Sequence, residues 1–201
     1  MVELYYIDTK NYSLSELNIQ TLPKYRLEKI NRLVHENDKL ACACAGLMVR
    51  KILGEGEIKL NEYGKPYING EKSFSISHSG NYVILAVSGK EVGCDIEFGK
   101  ALNYERVGKV VFHENELKKL SAVEDKKDYF FKLWTAKEAF IKCLGEGFHF
   151  KVTELDLSEL PDKISYNNKD YFFKKYMLGS AWIMLCGGDK FFPEIIKEAK
   201  I

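Results

Sequence analysis

The chain has 201 residues, 46% hydrophobic and 29% charged, with 30 basic against 29 acidic side chains and a net charge of +1. That length can bury a core as one large domain or two small ones. So even a balance excludes a global field drawing the protein onto nucleic acid or an anionic membrane, and an anionic ligand must be held by a local cluster. Cys42, Cys44, Cys94, Cys143 and Cys186 form no C-x-x-C pair and lie among apolar residues, so they read as reduced, buried thiols. There is no basic-then-apolar leader and no apolar run near the ~20 residues of a spanning helix, and the expected location is cytoplasmic.

In chain order, VELYYID (2–8) alternates and is β-rich, which predicts a first strand. LPKYRLEKINRL (22–33) predicts a basic helix. NDKLACACAGLMVRKILG (37–54) predicts a stronger one, capped by Asn37 or Asp38 and stopped by Gly54. NEYGKPYING (61–70) is turn chemistry around Gly64 and Pro66. FSISHS (74–79) and NYVILAVS (81–88) read as a hairpin, with VGCDIE (92–97) as a further strand. The second half predicts a polar helix, ENELKKLSAVEDKKD, running on into DYFFKLWTAKEAFIKCLG, a helix apolar over most of its surface. KVTELDLSEL (151–160), YFFKKYML (171–178) and SAWIMLCGG (180–188) read as strands. The mixed order, without regular strand–helix alternation, gives an α+β fold with antiparallel sheets.

Two echoes suggest duplication. RKILGEGEIKLNE (50–62) matches IKCLGEGFHFKVTE (141–154) in its L-G-E-G and its flanks, and GNYVILAVSG (80–89) matches GSAWIMLCGG (179–188) in pattern. The expected division is an N-terminal half, 1–98, and a C-terminal half, 99–201.

Three groups of residues carry chemistry. Asp95 and Glu97 are i and i+2 on a strand, on one face, ~7 Å apart at Cα. A solvated edge strand would account for such a pair alone; a cation between two repelling acids would account for it in this apolar setting. In WTAKEAFIK (134–142), Glu138 and Lys142 are i and i+4 and share a helix face with Trp134. Elsewhere that spacing is an exposed helix-stabilising pair, but Phe130, Phe131, Leu133, Ala139, Phe140 and Ile141 leave little surface for water, so acid and lysine need partners. His78 ends the strand FSISHS beside Ser79 and Gly80, where a ligand can approach. No G-x-S-x-G elbow and no phosphate-binding G-x-x-x-x-G-K-S/T is present.

In order, G-K-P (64–66), S-x-S-H-S (75–79), G-x-D-x-E (93–97) and W-x-x-K-E-A-x-x-K (134–142) resemble the 4′-phosphopantetheinyl transferases of the long, single-chain type, over about residues 38–150. The resemblance implies a pseudo-dimer of two similar α/β halves with coenzyme A and Mg²⁺ in the cleft between them. It assigns Asp95, Glu97 and Glu138 to the metal. Glu138 and Lys142 become the catalytic pair, with Lys142 and Asp95 also at the coenzyme. Gly64, Lys65, Pro66, Ser77 and His78 are placed at its nucleotide end. It implies a monomer that moves phosphopantetheine from coenzyme A to a serine of an acyl or peptidyl carrier protein and releases 3′,5′-ADP. The repeat offset sets Glu138 against Leu47 and Lys142 against Lys51, so one site is expected, not two. The sequence departs from the family pattern at Ala41, where relatives carry an arginine for the 3′-phosphate. Lys39, Arg50, Arg26 and Lys29 are the substitutes to test. A Mg²⁺-dependent hydrolase of a nucleotide pyrophosphate, or a non-catalytic partner-binding module, are the competing readings.

Overall fold

The computed structural model describes residues 1–70 and 72–201, and of Phe148 the backbone only. Two four-stranded sheets and two long helices form the frame. The first sheet is built from β1 (Glu3–Asp8), β4 (Ser73–Ser79), β5 (Tyr82–Ser88) and the short β10 (Lys197–Glu198), in the order β10-β1-β5-β4. β1, β5 and β4 are antiparallel, and β10 pairs parallel with β1. The second is antiparallel throughout, from β6 (Val92–Phe98), β7 (Lys163–Tyr166), β8 (Lys169–Leu178) and β9 (Ala181–Gly187), in the order β6-β9-β8-β7. A two-stranded hairpin, β2 (Ile58–Leu60) and β3 (Pro66–Ile68), stands apart from both. The fold is α+β, as the pattern predicts.

Alternation along the strands sorts residues between three cores. One face of the first sheet, with Phe74, Val83 and Leu85, packs under α2 (Glu36–Leu53) against Cys44, Met48 and Val49. One face of the second sheet, with Phe173, Trp182 and Met184, packs under α5 (Lys126–Leu144) against Phe130, Leu133 and Phe140. The remaining faces meet each other: Leu4, Ile84 and Ala86 close on Cys94, Ile96, Ile183 and Leu185, all fully buried. β5 and β9 are almost wholly apolar and buried because each is an inner strand of its sheet with cover on both faces.

β6 belongs to the C-terminal sheet. Both sides of β5 are already taken, by β1 and β4, so the strand that follows it pairs with β9 across the chain, Asp95 opposite Met184 and Glu97 opposite Trp182. Asp95 and Glu97, assigned from sequence to the 1–98 half, therefore sit in a sheet made otherwise from residues beyond 160.

Several elements differ from their sequence expectation. The polar and apolar helices of the second half are two: α4 (Glu114–Ala122) ends at Val123, and α5 starts afresh on an Asp125 cap that accepts the Asp128 amide. KVTELDLSEL is no strand. It is a 3-10 turn, Val152–Glu154, followed by a loop, because its backbone carbonyls serve the buried Lys137, which bonds Val152 O at 2.8 Å and Leu155 O at 2.6 Å. The short α3 (Tyr104–Val111) and the strands β2, β3, β7 and β10, of two to four residues, gave no periodic signal long enough to read. No helix among the described residues is long and apolar enough to cross a membrane.

Candidate active site

The two sheets meet edge to edge where β4 passes β6, and side chains replace the backbone ladder there. The alternation S-x-S-x-S puts Ser75, Ser77 and Ser79 on the β4 face turned to β6, all buried. Ser75 Oγ accepts the Cys94 amide at 3.1 Å, and Ser79 Oγ accepts that of Phe98 at 3.1 Å. The hydroxyls also grip the acids: Ser77 Oγ donates to Asp95 Oδ1 at 2.7 Å and Ser79 Oγ to Glu97 Oε2 at 3.0 Å. On its other side β6 lies against α5. A Cβ on Gly93 would stand 2.0 Å from the Ala139 carbonyl oxygen, so only glycine permits this approach.

That approach brings the acids to the helix. Lys142 Nζ lies 2.6 Å from Asp95 Oδ1 and 3.0 Å from Ser77 Oγ, a triangle closed by one residue each from β4, β6 and α5. Asp95 is 3% exposed. Its second oxygen, Oδ2, is buried and has no hydrogen-bond partner. Glu97, Glu138 and Trp134 border the same space. Burial first, and then the negative charge of Asp95, push both glutamate carboxyls above the usual carboxylate range. Burial works to lower the Lys142 ammonium, but Asp95 outweighs it and the net shift is upward, so the lysine stays charged.

The space is a cavity of about 760 Å³, in the range of a site for a sizeable ligand. Asp95, Glu97, Glu138 and Lys142 line one part; Tyr25, Arg26 and Lys29 of α1 (Lys24–Arg32) and His78 of β4 line another. Arg26 is 8% exposed, and the partner of its guanidinium is the Cys42 thiol at 3.8 Å, a weak acceptor. Tyr25 Oη is buried without a partner; among the described residues only it and Asp95 Oδ2 are in that condition, and both border this cavity. His78 is open to water on one side, but the protein packed around the rest of the ring first, and then the charges of Lys29 and Lys142, push it below the usual histidine range, which favours the neutral form at neutral pH.

Of the residues picked out by sequence, Ser77, His78, Asp95, Glu97, Glu138 and Lys142 are brought together on this cavity, with Gly64 and Pro66 at its wall. Lys65 is not: its ammonium turns away to the Val92 and Cys143 carbonyls, at 3.2 and 3.1 Å. Ala41 faces the cavity, and of the four candidate cations Arg26 and Lys29 border it too. Lys39 pairs with Glu36 at 2.6 Å, and Arg50 pairs with Glu55 and the Thr21 carbonyl. Tyr25 and the gripping role of Ser79 were missed. For Ser79 the signal was present in the serine alternation; for Tyr25 a tyrosine in a basic helix gives none.

The donors suit a hard divalent cation. They are carboxylate oxygens, one is orphaned in a buried position, and two more acids beside it are held above their ordinary range by burial and by the charge of Asp95, which a cation would offset. Among the described residues no three such side chains yet close on a common point.

The cavity thus has an acidic part around Asp95 and a basic part around Arg26. A family model for the 4′-phosphopantetheinyl transferase superfamily matches residues 91–184, which span β6, α5 and most of β9. The 4′-phosphopantetheinyl transferase Sfp of Bacillus subtilis (strain 168) is 31% identical over 191 residues, covering 84% of this chain and 83% of the relative. The 4′-phosphopantetheinyl transferase gsp of Aneurinibacillus migulanus is 31% identical over 168 residues, 82% of this chain and 62% of its own length. The human L-aminoadipate-semialdehyde dehydrogenase-phosphopantetheinyl transferase is 30% identical over 171 residues, 72% and 55%. The chain belongs to the 4′-phosphopantetheinyl transferase family, and is an enzyme of that kind.

Proposed function

We propose that the protein transfers 4′-phosphopantetheine from coenzyme A to a serine of an acyl or peptidyl carrier protein, with Mg²⁺ bound by Asp95, Glu97 and Glu138. The observation that carries this is the division of one cavity: carboxylates with an orphaned oxygen around Asp95, and under-partnered cations and a free hydroxyl around Arg26. A molecule with a metal-binding pyrophosphate and a separate phosphate monoester satisfies both. The metal, when bound, neutralises pyrophosphate charge.

The chain's residues do the rest. The serine hydroxyl attacks the phosphorus on the pantetheine side of the pyrophosphate. The new P–O bond forms as the bond to the bridging oxygen breaks, and 3′,5′-ADP leaves with that oxygen. Glu138, on the helix face that borders the acids, takes the serine proton directly or through a bound water. Lys142, held charged beside Asp95, is placed to stabilise the charge on the departing phosphate. Arg26, Lys29, His78 and Tyr25 take the 3′-phosphate, so the cation that relatives place at Ala41 is supplied here from α1. All these groups come from one chain, and the enzyme acts as a monomer.

The test mixes the protein with coenzyme A, Mg²⁺ and several carrier proteins. The expected result is a carrier heavier by one phosphopantetheine and one 3′,5′-ADP per transfer. Release of 3′,5′-ADP without a carrier would make the protein a hydrolase, and neither product would make it a binding module.

A further inference from the structure

We propose that Lys65 is a positioning residue that fixes the reaction centre by holding β6 and α5 together, and that it does not touch the nucleotide. The proposal rests on the assignment of Lys142 and Asp95 above. Lys65 sits in the turn between β2 and β3, on the N-terminal side of the molecule, yet its ammonium reaches across to two backbone carbonyls of other elements. One is Val92 O, 3.2 Å away, at the head of β6, three residues before Asp95. The other is Cys143 O, 3.1 Å away, at the end of α5, one residue beyond Lys142. One charged group thus spans the two elements that carry the reacting side chains.

The setting favours this role. The last carbonyls of a helix have no partner within it and carry the negative end of its dipole, so a buried ammonium is well placed there. α5 ends on Gly145 in the left-handed region, φ +76, and Asn61 of the same turn donates to the Gly145 carbonyl at 3.0 Å. A Cβ on Gly145 would lie 2.8 Å from Lys65 Cδ, so the helix end and the lysine stem are in close contact. Among the described residues no carboxylate pairs with Lys65, and burial lowers its pKa; the hydrogen bonds of the ammonium go to carbonyls. The turn does not depend on it, because Asn61 Oδ1 accepts the Lys65 amide at 2.7 Å and the Asn61 amide donates to Lys65 O at 2.9 Å. Its neighbours Gly64 and Pro66 border the cavity, so removing the ammonium need not disturb the wall.

The test compares Lys65→Met, which keeps the stem, with Lys65→Arg, which keeps a cationic donor. Coenzyme A affinity is measured by calorimetry, and transfer by steady-state kinetics at saturating coenzyme A. A displacement near 1 Å at a reacting group costs up to about 100-fold, so Lys65→Met should lose about 10- to 100-fold in kcat with Kd changed less than about twofold, and Lys65→Arg should recover part of the loss. Amide exchange at 141–145 should quicken in Lys65→Met. A raised Kd with unchanged kcat would show that Lys65 is a ligand contact and overturn the proposal, as would wild-type values for both. If Lys65→Met does not fold, Lys65→Arg decides on the same split of kcat against Kd. An inactive wild-type enzyme would instead sink the proposed function, while faster exchange in Lys65→Met would still register the brace.

Discussion

Replacing Lys142 with methionine measures how far Asp95 depends on the ammonium beside it. The two groups are 2.6 Å apart, with the Asp95 side chain 5% and the Lys142 side chain 30% exposed. Removing one partner of a fully buried pair costs about 3–5 kcal/mol, because the other charge is stranded. Here water reaches part of the lysine and Ser77 keeps its bond to the same oxygen, so about 2–3 kcal/mol is expected. For a chain of this length that lowers Tm by about 5–10 °C. The lysine's pKa is raised, so its stabilising effect is complete at neutral pH and is lost only as pH climbs through that raised value; the comparison at pH 7 is clean. Millimolar Mg²⁺ should restore more Tm to the variant than to the wild type, since a second cation takes over the stranded carboxylate. Calorimetry in EDTA and then in Mg²⁺ reads both effects. Equal melting in EDTA would refute the dependence of Asp95 on Lys142. A low Tm with equal Mg²⁺ gains would refute a cation at Asp95. In transfer assays kcat and kcat/KM should fall together, as for a group felt mainly in the transition state.

Glu138→Gln should abolish transfer while raising Tm at pH 7, since a carboxyl with a raised pKa is one whose ionisation opposes folding; that penalty grows as pH rises past the ordinary carboxylate range, and the variant's Tm–pH curve should be flatter there. His78→Ala should weaken coenzyme A more than 3′-dephospho-coenzyme A. In the wild type, calorimetry in buffers of different ionisation enthalpy should show a proton taken up on binding near pH 6–7, because the free histidine is neutral and a phosphate favours its charged form. Arg26→Met should stabilise the free protein yet cost coenzyme A affinity, about tenfold or more, with dephospho-coenzyme A spared; equal losses for the two ligands would remove Arg26 from the 3′-phosphate.

What could be read in the sequence was what a local rule controls. The strand period put Asp95 and Glu97 on one face and Cys94 and Ile96 on the other, and Ile96 and Cys94 do fill the core between the sheets. The helix period put Glu138 and Lys142 together. Long-range pairing was not readable. Nothing local says that β6 joins β9, or that Lys65 points at carbonyls when its neighbours Gly64 and Pro66 face the cavity. Nor could Asp95 be known to hold Lys142 as an ion pair. From sequence the acids are expected to repel one another, and by repulsion alone the removal of either would not harm the free protein. That argument survives for Glu138, but loss of Asp95 would strand a lysine.

The place of the site follows from how the two sheets are joined. A strand edge offers unpaired amides and carbonyls. Had β4 and β6 met through a backbone ladder, both edges would be spent on each other and their side chains would point away from the seam. Instead hydroxyls from β4 and the Lys65 ammonium satisfy the β6 edge at Cys94, Phe98 and Val92. The serines that do so are also those that bond Asp95 and Glu97, so the contacts closing the fold also aim the acids. Buried acids in a row are a poor way to stabilise a seam, and two of the three are driven above their ordinary range by being there. An apolar seam would serve folding better. That cost fits the proposal that a cation enters between the acids during the reaction. Lys142, one side chain away and partly open to water, holds Asp95 until it does.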